Sequence, residues 1–315
     1  MKKRGKGKGK KAKKRLKEVK SKQKIKPKKE VREEVNVDAG YIKGIKLKKE
    51  IIKHKEKVKK FKRLEKIKTY LPGFDDLMEK GIPQSSTVLV EGGPGSGKTI
   101  FCLQLINNMC KKGKKCLYMS FEEPESRLRE HMKDFGWNPE ELERKGLLRL
   151  QRFNALDIAR SVEALLSEAK KELLIGIEPV LFPHDFKADF VMIDSLTAIS
   201  SAFSGEESRF RVYIEQLFRY LEQSKITTFL IRETSHPTHI GPGFVEKAEA
   251  VSFLSDGIII VYNVIYRGGR RGSAIELLKM RGEGFKRKIV EMDIKSGKGI
   301  IVYPNKELKG DYSLT

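Results

Sequence analysis

The pattern of hydrophobic and polar positions changes near residue 69. Residues 1–35 contain no aromatic side chain and only scattered aliphatic ones among many lysines. Such a segment buries too little apolar surface to offset its ordering entropy, so a largely disordered extension is predicted over residues 1–68. Within it, apolar residues recur near helical spacing between Ile45 and Ile67, which indicates a possible basic amphipathic helix at 45–67.

From residue 69 to residue 315, the pattern is typical of a globular domain in which strands and helices alternate. The predicted strands are Ser86–Glu91, Lys115–Phe121, Leu147–Arg152, Asp189–Asp194 and Thr227–Arg232. The predicted helices are Lys98–Lys111, Glu125–Phe135, Leu156–Leu174 and Glu207–Gln223. This order predicts βαβ units and an α/β fold, with a mainly parallel sheet flanked by helices.

The C-terminal part has a different pattern, because its apolar runs are separated by glycine-rich turns without a helical stretch between them. The predicted strands there are Gly257–Asn263, Ser273–Lys279, Lys288–Ile294 and Gly299–Tyr303. We predict that the first is the last parallel strand of the sheet and that the others form antiparallel hairpins.

The charge of the chain divides at the same place. Residues 1–68 hold 31 Lys or Arg against 8 Asp or Glu, whereas residues 69–315 hold 35 against 34. A segment this basic attracts polyanions through counterion release, so non-specific nucleic-acid binding by residues 1–68 is one prediction. A tail that only solubilises the chain is the main alternative, and docking to an acidic membrane surface or a protein is another.

The cysteines and the apolar runs indicate where in the cell the protein is found. Cys102, Cys110 and Cys116 form no CxxC pair and give no sign of a disulfide framework. No apolar run approaches the roughly 20 residues that span a bilayer. We therefore expect a cytoplasmic protein without a transmembrane segment.

A glycine-rich stretch follows the first predicted strand and begins the first predicted helix. It satisfies G-x-x-x-x-G-K-[ST], the P-loop or Walker A pattern, with Gly92, Gly93, Pro94, Gly95, Ser96, Gly97, Lys98 and Thr99. Its backbone amides and the helix N-terminus would bind phosphate groups. Lys98 would reach the β- and γ-phosphates and the Thr99 hydroxyl would ligate Mg²⁺, so ATP and Mg²⁺ are the predicted ligands.

Acidic residues at other predicted strand ends fit the same site. Asp194 closes an apolar strand and is predicted to hold the metal, as a Walker B aspartate does. Glu122 and Glu123 directly follow the strand that ends at Phe121, where at least one of them could activate water, with Glu123 preferred. The alternative is that both begin the next helix, where carboxylates favour the helix dipole.

Six motifs in this order resemble the KaiC-like branch of the RecA superfamily of ATPases. They are LPGFDDL at 71–77, the GGPGSGKT loop, FEE at 121–123, IDSL at 193–196, SDGII at 255–259 and KMRG at 279–282. The resemblance implies a RecA-like P-loop NTPase fold and Mg²⁺-dependent ATP hydrolysis. It also implies a homo-oligomer, often a hexameric ring, with ATP bound between subunits.

The resemblance gives Lys279 and Arg281 a role as donors to the γ-phosphate of a neighbouring subunit. They flank Met280 on a predicted strand, so their side chains share one face. The alternative is ordinary exposed charge on an edge strand. Glu233 and Thr234 end another predicted strand, where they either sense the γ-phosphate or simply begin a loop.

Departures from the family pattern limit what can be carried over. The founding clock protein has two such domains in tandem and this chain has one, with Glu79-Lys80-Gly81 where the family tends to have a Gly-Gly pair. A circadian role and self-phosphorylation at Ser313 or Thr315 are therefore not inferred. His236 and His239 are interpreted as part of a mobile loop rather than as metal ligands.

The sequence predicts an ATP-binding, Mg²⁺-dependent ATPase with a regulatory role through nucleotide-dependent oligomer contacts. The alternative is a recombinase-like ATPase that binds nucleic acid through the lysine-rich extension and the loop Thr234–Lys247.

Overall fold

The computed structural model describes residues 65–169, 182–203, 205–234 and 250–315. The predicted extension and its amphipathic helix lie almost entirely outside the described residues, as do the loop at 235–249 and residues 170–174 of one predicted helix.

A ten-stranded sheet organises the domain, and its larger part is parallel. After a short antiparallel pair, β1 (Lys66–Ile67) and β2 (Ile82–Pro83), the parallel strands are β3 (Thr87–Gly92), β4 (Cys116–Ser120), β5 (Leu148–Arg152), β6 (Phe190–Asp194), β7 (Thr227–Glu233) and β8 (Gly257–Tyr266). Their order across the sheet is β5-β4-β6-β7-β3-β8. The prediction of a mainly parallel α/β sheet is confirmed.

The other side of β8 carries the antiparallel strands, as the glycine-rich turns predict. These are β9 (Arg271–Met280), β10 (Ile289–Lys295) and β11 (Gly299–Glu307), which end the sheet in the order β8-β9-β10-β11. An additional short strand, β12 (Tyr312–Leu314), pairs antiparallel with the far end of β8. β12 was not predicted from the sequence, because three residues are too few for a recognisable alternation.

Helices cover both faces of the sheet. They are α1 (Lys98–Lys111), α2 (Glu125–Asp134), α3 (Pro139–Arg144), α4 (Ala155–Ala169), α5 (Leu196–Ala202), α6 (Glu207–Ser224) and α7 (Ala250–Leu254). The three shortest, α3, α5 and α7, were not predicted. With 6, 7 and 5 residues, they are too short to show the apolar periodicity of a helix. Among the described residues, no helix has the length and apolarity needed to cross a membrane.

The strand β3 shows why the sheet lies at the centre of the domain. All six of its residues are buried, as expected for a parallel strand with helices on both faces. Val88 and Val90 face the hydrophobic cluster that contains α1, and Leu89 between them faces the cluster that contains α6. Alternation along the strand therefore supplies both cores with apolar side chains.

The stretch before β2 packs onto α1 and onto the antiparallel strands. Asp75 accepts hydrogen bonds from the backbone and hydroxyl of Thr69 at 2.8 and 2.7 Å. Phe74 meets Phe101 of α1 edge-on, with ring centroids 5.3 Å apart. Gly73 has a φ of +75°, and a Cβ there would lie 2.0 Å from the Val302 carbonyl oxygen, so only glycine fits this approach to β11.

A buried glutamine joins α1 to β11, the strand at one edge of the sheet. Gln104 is 4% exposed. Its Oε1 accepts a hydrogen bond from the Ile300 amide at 2.6 Å, and its Nε2 donates to the Ile300 carbonyl at 3.2 Å. This side chain satisfies two backbone groups of an edge strand that no further strand pairs with among the described residues.

We predict that Gln104→Leu lowers the free energy of unfolding by about 2–4 kcal/mol, because it leaves a buried amide and a buried carbonyl unpaired. Urea unfolding followed by circular dichroism measures the change. Gln223→Leu, at an exposed position of α6, is the matched control and should change stability by less than about 0.5 kcal/mol. Equal losses in the two variants would contradict the role assigned to Gln104.

Candidate functional site

The glycine-rich loop between β3 and α1 has the backbone geometry of an anion site. Gly97 precedes α1 with a φ of +104°, and a Cβ at this position would lie 2.6 Å from Ile294 Cδ1. Within the described residues, no side chain caps the N-terminus of α1. The first N–H groups of a helix lack intrahelical acceptors, so they are available to bind an anion at this end.

Lys98 lies over the loop that precedes it. Its side chain is 6% exposed, and its Nζ donates a hydrogen bond to the Gly93 carbonyl at 2.9 Å. Glu233, the last residue of β7, places Oε1 at 3.6 Å from the same Nζ. The structure therefore brings the tip of β7 to the P-loop lysine, as one of the two alternatives for Glu233 requires.

Thr99 and Asp194 meet across the end of the sheet. Asp194 Oδ2 accepts hydrogen bonds from Thr99 Oγ1 at 3.0 Å and from the Tyr118 hydroxyl at 2.5 Å. Asp194 is 7% exposed. Tyr118 was missed because a tyrosine inside an apolar strand has the same sequence pattern as a core residue.

Burial dominates the ionisation of Asp194. It raises the pKa of this carboxyl to about 6, and the negative charge of Glu122 acts in the same direction. The hydrogen bonds from Tyr118 and Thr99 and the positive charge of Lys98 lower the pKa, but they do not cancel the cost of desolvation. A bound cation would offset that cost.

The two glutamates after β4 are held in different ways. Ser195 Oγ donates a hydrogen bond to Glu122 Oε1 at 2.6 Å, which ties Glu122 to the residue that follows Asp194. The Glu123 amide donates to Ser120 Oγ at 3.0 Å, and Glu123 Oε2 lies 3.4 Å from His131 Nδ1. Ser195 lies within the IDSL motif, but its contact with Glu122 was not predicted, and no sequence pattern indicated His131, because both contacts are tertiary.

The alternative in which both glutamates begin the next helix is wrong. Helix α2 begins at Glu125, with Pro124 at its N-cap, so Glu122 and Glu123 precede it. The acidic residue in the first turn of α2 is Glu125. Both earlier glutamates instead line a cavity at the mouth of the P-loop.

This cavity has a volume of about 470 Å³. Its lining includes Lys98 and Thr99 together with five acidic residues, Glu122, Glu123, Asp134, Asp194 and Glu233. A cavity whose lining combines a helix N-terminus and one lysine with several carboxylates suits an anionic ligand that carries a cation.

The donor set fits magnesium better than a metal held entirely by protein. Thr99 and Asp194 offer two hard oxygens within 3.0 Å of each other. Where the structure describes the chain, no group of three or more His, Cys, Asp or Glu side chains could hold a metal. Mg²⁺ commonly takes one or two protein oxygens and completes its shell with water and phosphate oxygens. His236 and His239 lie outside the described residues.

Lys279 and Arg281 lie at α7, away from this cavity within one chain. Lys279 Nζ donates hydrogen bonds to the carbonyls of Ser252 at 2.9 Å and Ser255 at 2.6 Å. Arg281 Nη2 donates to the Phe253 carbonyl at 2.7 Å. The two side chains thus share one face, as predicted. β9 lies between β8 and β10, but β10 pairs with it at residues 273–276, so Lys279 and Arg281 lie beyond that pairing. The alternative of exposed charge at a strand edge stays open.

Both side chains place positive charge at the C-terminal end of α7. Burial lowers the pKa of Lys279, and the neighbouring charge of Arg281 lowers it further. Helix C-termini attract cations, so these contacts are favourable within one chain.

We predict that, without nucleotide and metal, Asp194→Asn unfolds at higher denaturant concentration than the parent protein at pH 8. A carboxyl with its folded pKa near 6, above an ordinary value of 3.8, contributes stability at low pH that is lost as pH rises through 6. The asparagine variant avoids that loss, so its advantage should be about 2–3 kcal/mol at pH 8. Urea titrations between pH 4.5 and 8 test this, and an advantage that grows as pH falls would contradict it.

Comparisons with known proteins agree with the fold. The family model for the KaiC ATPase matches residues 67–307. A UPF0273 protein of Pyrococcus horikoshii is 31% identical over 252 residues, which cover 78% of this chain and 96% of that protein. The circadian clock protein KaiC3 of Synechocystis is 30% identical over 242 residues, covering 76% of this chain and 46% of the clock protein.

A solved structure has the same architecture. The crystal structure of a KaiC-like protein from Pyrococcus horikoshii is 27% identical, with a TM-score of 0.60, and the match covers 76% of this chain and 100% of that one. The present chain spans less than half of the clock protein and nearly all of the UPF0273 protein. With its central sheet, its P-loop and a family match over three quarters of its length, this chain belongs to the KaiC family of ATPases.

Proposed function

We propose that the domain formed by residues 69–315 binds ATP with Mg²⁺ and hydrolyses it to ADP and phosphate. The observation that carries the proposal is the meeting of three elements at one cavity. The P-loop residue Thr99, the buried Asp194 and the glutamates after β4 come together at the carboxyl edge of the sheet. Membership of an ATPase family supports the same reaction.

The P-loop would bind the phosphate groups of ATP. The uncapped N–H groups at the start of α1 would donate to phosphate oxygens, and Lys98 would turn from the Gly93 carbonyl toward the β- and γ-phosphates. In that position the lysine also stabilises charge that develops on the transferred phosphoryl group, which makes it part of the catalytic machinery.

Thr99 and Asp194 would hold magnesium beside the phosphates. When bound, the ion would neutralise negative charge on the β- and γ-phosphate oxygens. Asp194 is buried and close to both Thr99 and Tyr118, so its carboxylate is fixed before any ligand arrives. A fixed carboxylate loses little conformational freedom when it binds a cation.

Glu122 and Glu123, which both line the cavity, are the candidates to accept a proton from the attacking water. Glu122 is oriented by Ser195 and lies close enough to Asp194 for its charge to affect that pKa. Glu123 is oriented by Ser120 and His131. We propose that at least one of them is the general base, and substitution of each separately identifies which one.

Three single variants test the reaction. Lys98→Ala should abolish measurable ATP binding, because it removes the cation that faces the phosphates. Glu122→Gln or Glu123→Gln, whichever removes the base, should lower kcat by about 10²–10⁴-fold while ATP binding persists. Phosphate release measures turnover, and titration with a fluorescent ATP analogue measures binding.

Glu125→Gln is the matched control for these glutamate variants. Glu125 lies two residues further on in α2, where its carboxylate accepts a hydrogen bond from the Arg152 amide at 2.8 Å. Its rate should stay within about twofold of the parent rate. If both glutamine variants near the cavity keep the parent rate, neither residue is the base, and if the parent binds no ATP the proposal is wrong.

We also propose that the protein acts as a homo-oligomer, with a hexameric ring as the expected form, and that nucleotide-dependent contacts between subunits serve a regulatory role. In this arrangement Lys279 and Arg281 donate to the γ-phosphate bound by a neighbouring subunit. Their position at α7 rather than at the cavity of their own chain supports action on a neighbour.

Mixing two inactive variants tests this arrangement. Arg281→Ala should lower kcat by at least about 10³-fold, as expected for loss of an arginine finger. Lys98→Ala should be inactive because its own P-loop does not bind ATP. In mixed rings, an Arg281→Ala subunit keeps its P-loop and a Lys98→Ala subunit keeps its arginine, so about a quarter of random interfaces should be active.

Recovery of turnover after mixing, measured with sizing of the oligomer in ATP and Mg²⁺, would support the shared site. Lack of any recovery in oligomers shown to exchange subunits, or a monomer under all conditions, would contradict it.

A further inference from the structure

A buried ion pair lies directly behind the phosphate site. Arg232 Nη2 is 2.7 Å from Glu91 Oε1, and the two side chains are 11% and 4% exposed. The residues face each other across the parallel ladder, Glu91 on β3 and Arg232 on β7. A buried ion pair gives little net stability compared with apolar residues of similar size, so its place in the fold is more informative than its energy.

Each member of the pair is next to a residue of the candidate site. Glu91 immediately precedes Gly92, the first residue of the P-loop. Arg232 immediately precedes Glu233, whose carboxylate lies 3.6 Å from Lys98 Nζ. The pair therefore fixes the tips of β3 and β7 relative to each other at the point where both reach the phosphate site.

The same guanidinium reaches α7. Arg232 Nη2 donates a second hydrogen bond, to Ser252 Oγ at 3.1 Å. The Ser252 carbonyl accepts a hydrogen bond from Lys279 at 2.9 Å, and the next residue, Phe253, accepts one from Arg281. A continuous series of contacts thus runs from the P-loop strand through Arg232 to the helix end that holds Lys279 and Arg281.

We propose that Arg232 is a positioning residue that couples phosphate binding at the P-loop to the position of α7. This inference rests on the proposed function. When Lys98 turns toward phosphate, its ammonium group leaves the Glu233 carboxylate, from which it is 3.6 Å away. The tip of β7 is then displaced. The planar guanidinium bonds Glu91 and Ser252 in a fixed geometry, so it transmits a displacement of β7 to α7. Lys279 and Arg281 then move with the carbonyls that hold them.

Hydrogen exchange of the full chain tests the coupling. Amide exchange of residues 250–256 is measured by mass spectrometry with and without saturating ATP and Mg²⁺. In the parent protein we expect ATP to change this rate by about fivefold or more, the lower end of typical coupling between sites. A purely structural role for the pair predicts no dependence on nucleotide.

Two variants interrupt the series of contacts at different points. Glu91→Met with Arg232→Met replaces both charges by apolar side chains, which avoids leaving one buried charge unpaired. Ser252→Ala removes only the hydroxyl that accepts from Arg232 and leaves the ion pair in place. In each, we expect ATP affinity within about threefold of the parent and a nucleotide response below about twofold.

The matched control is removal of a more exposed ion pair. Arg149→Met with Asp185→Met removes a pair with a 2.7 Å contact between β5 and the segment before β6. This control should keep the parent response.

The outcomes separate the coupling from the proposed function. A full response in both test variants, or no response in a parent that binds ATP, overturns the coupling and leaves the ATPase proposal intact. If the methionine double variant does not fold, Ser252→Ala decides alone. Absence of ATP binding by the parent overturns the proposed function, and the coupling with it.

Discussion

Parallel pairing of β3, β7, β6 and β4 is the constraint on which the site depends. Because these strands run in one direction, their carboxyl ends lie along one edge of the sheet. The P-loop lies at the end of β3, Glu233 and Asp194 end β7 and β6, and the glutamates at 122–123 lie just beyond β4. In sequence, Gly92 and Glu233 are 141 positions apart. Strand β7 lies between the P-loop strand and the strand of Asp194, which gives Glu233 its position beside Lys98.

The charged and polar groups at this edge of the sheet favour a ligand that combines an anion with a cation. A buried Asp194 with a raised pKa is unfavourable as an isolated carboxylate, and uncapped amides at the start of α1 are unfavourable without an acceptor. An anion that carries a cation relieves both costs together. One cavity therefore contains both a buried carboxylate and amide donors without an acceptor. Hydrogen bonds with Tyr118, Ser195 and Ser120 hold the acidic residues of this cavity in position.

The sequence was informative where a function needs a local pattern and uninformative where it needs a distant partner. The P-loop and the run ending at Asp194 could be recognised because glycine spacing and a carboxylate after an apolar strand are local features. Tyr118 and the contact between Ser195 and Glu122 could not, because a buried tyrosine and a serine at the N-cap of α5 have ordinary structural explanations in sequence. The short helices α5 and α7 and the strand β12 are fixed by tertiary contacts rather than by periodicity. Whether Glu122 or Glu123 acts as base stays a prediction.

The contacts at β11 have a consequence for how copies of this protein can associate. The outward backbone groups of Ile300 are occupied by Gln104, and the Val302 amide donates to the Pro72 carbonyl at 2.9 Å. An edge strand with free amides and carbonyls is a template for strand addition and aggregation. Here α1 and the segment around Pro72 occupy these three groups, so strand addition is blocked along residues 300–302 of β11. Association at this stretch must then use side-chain surfaces, which can be tuned by substitution and by ligands in a way that a backbone ladder cannot.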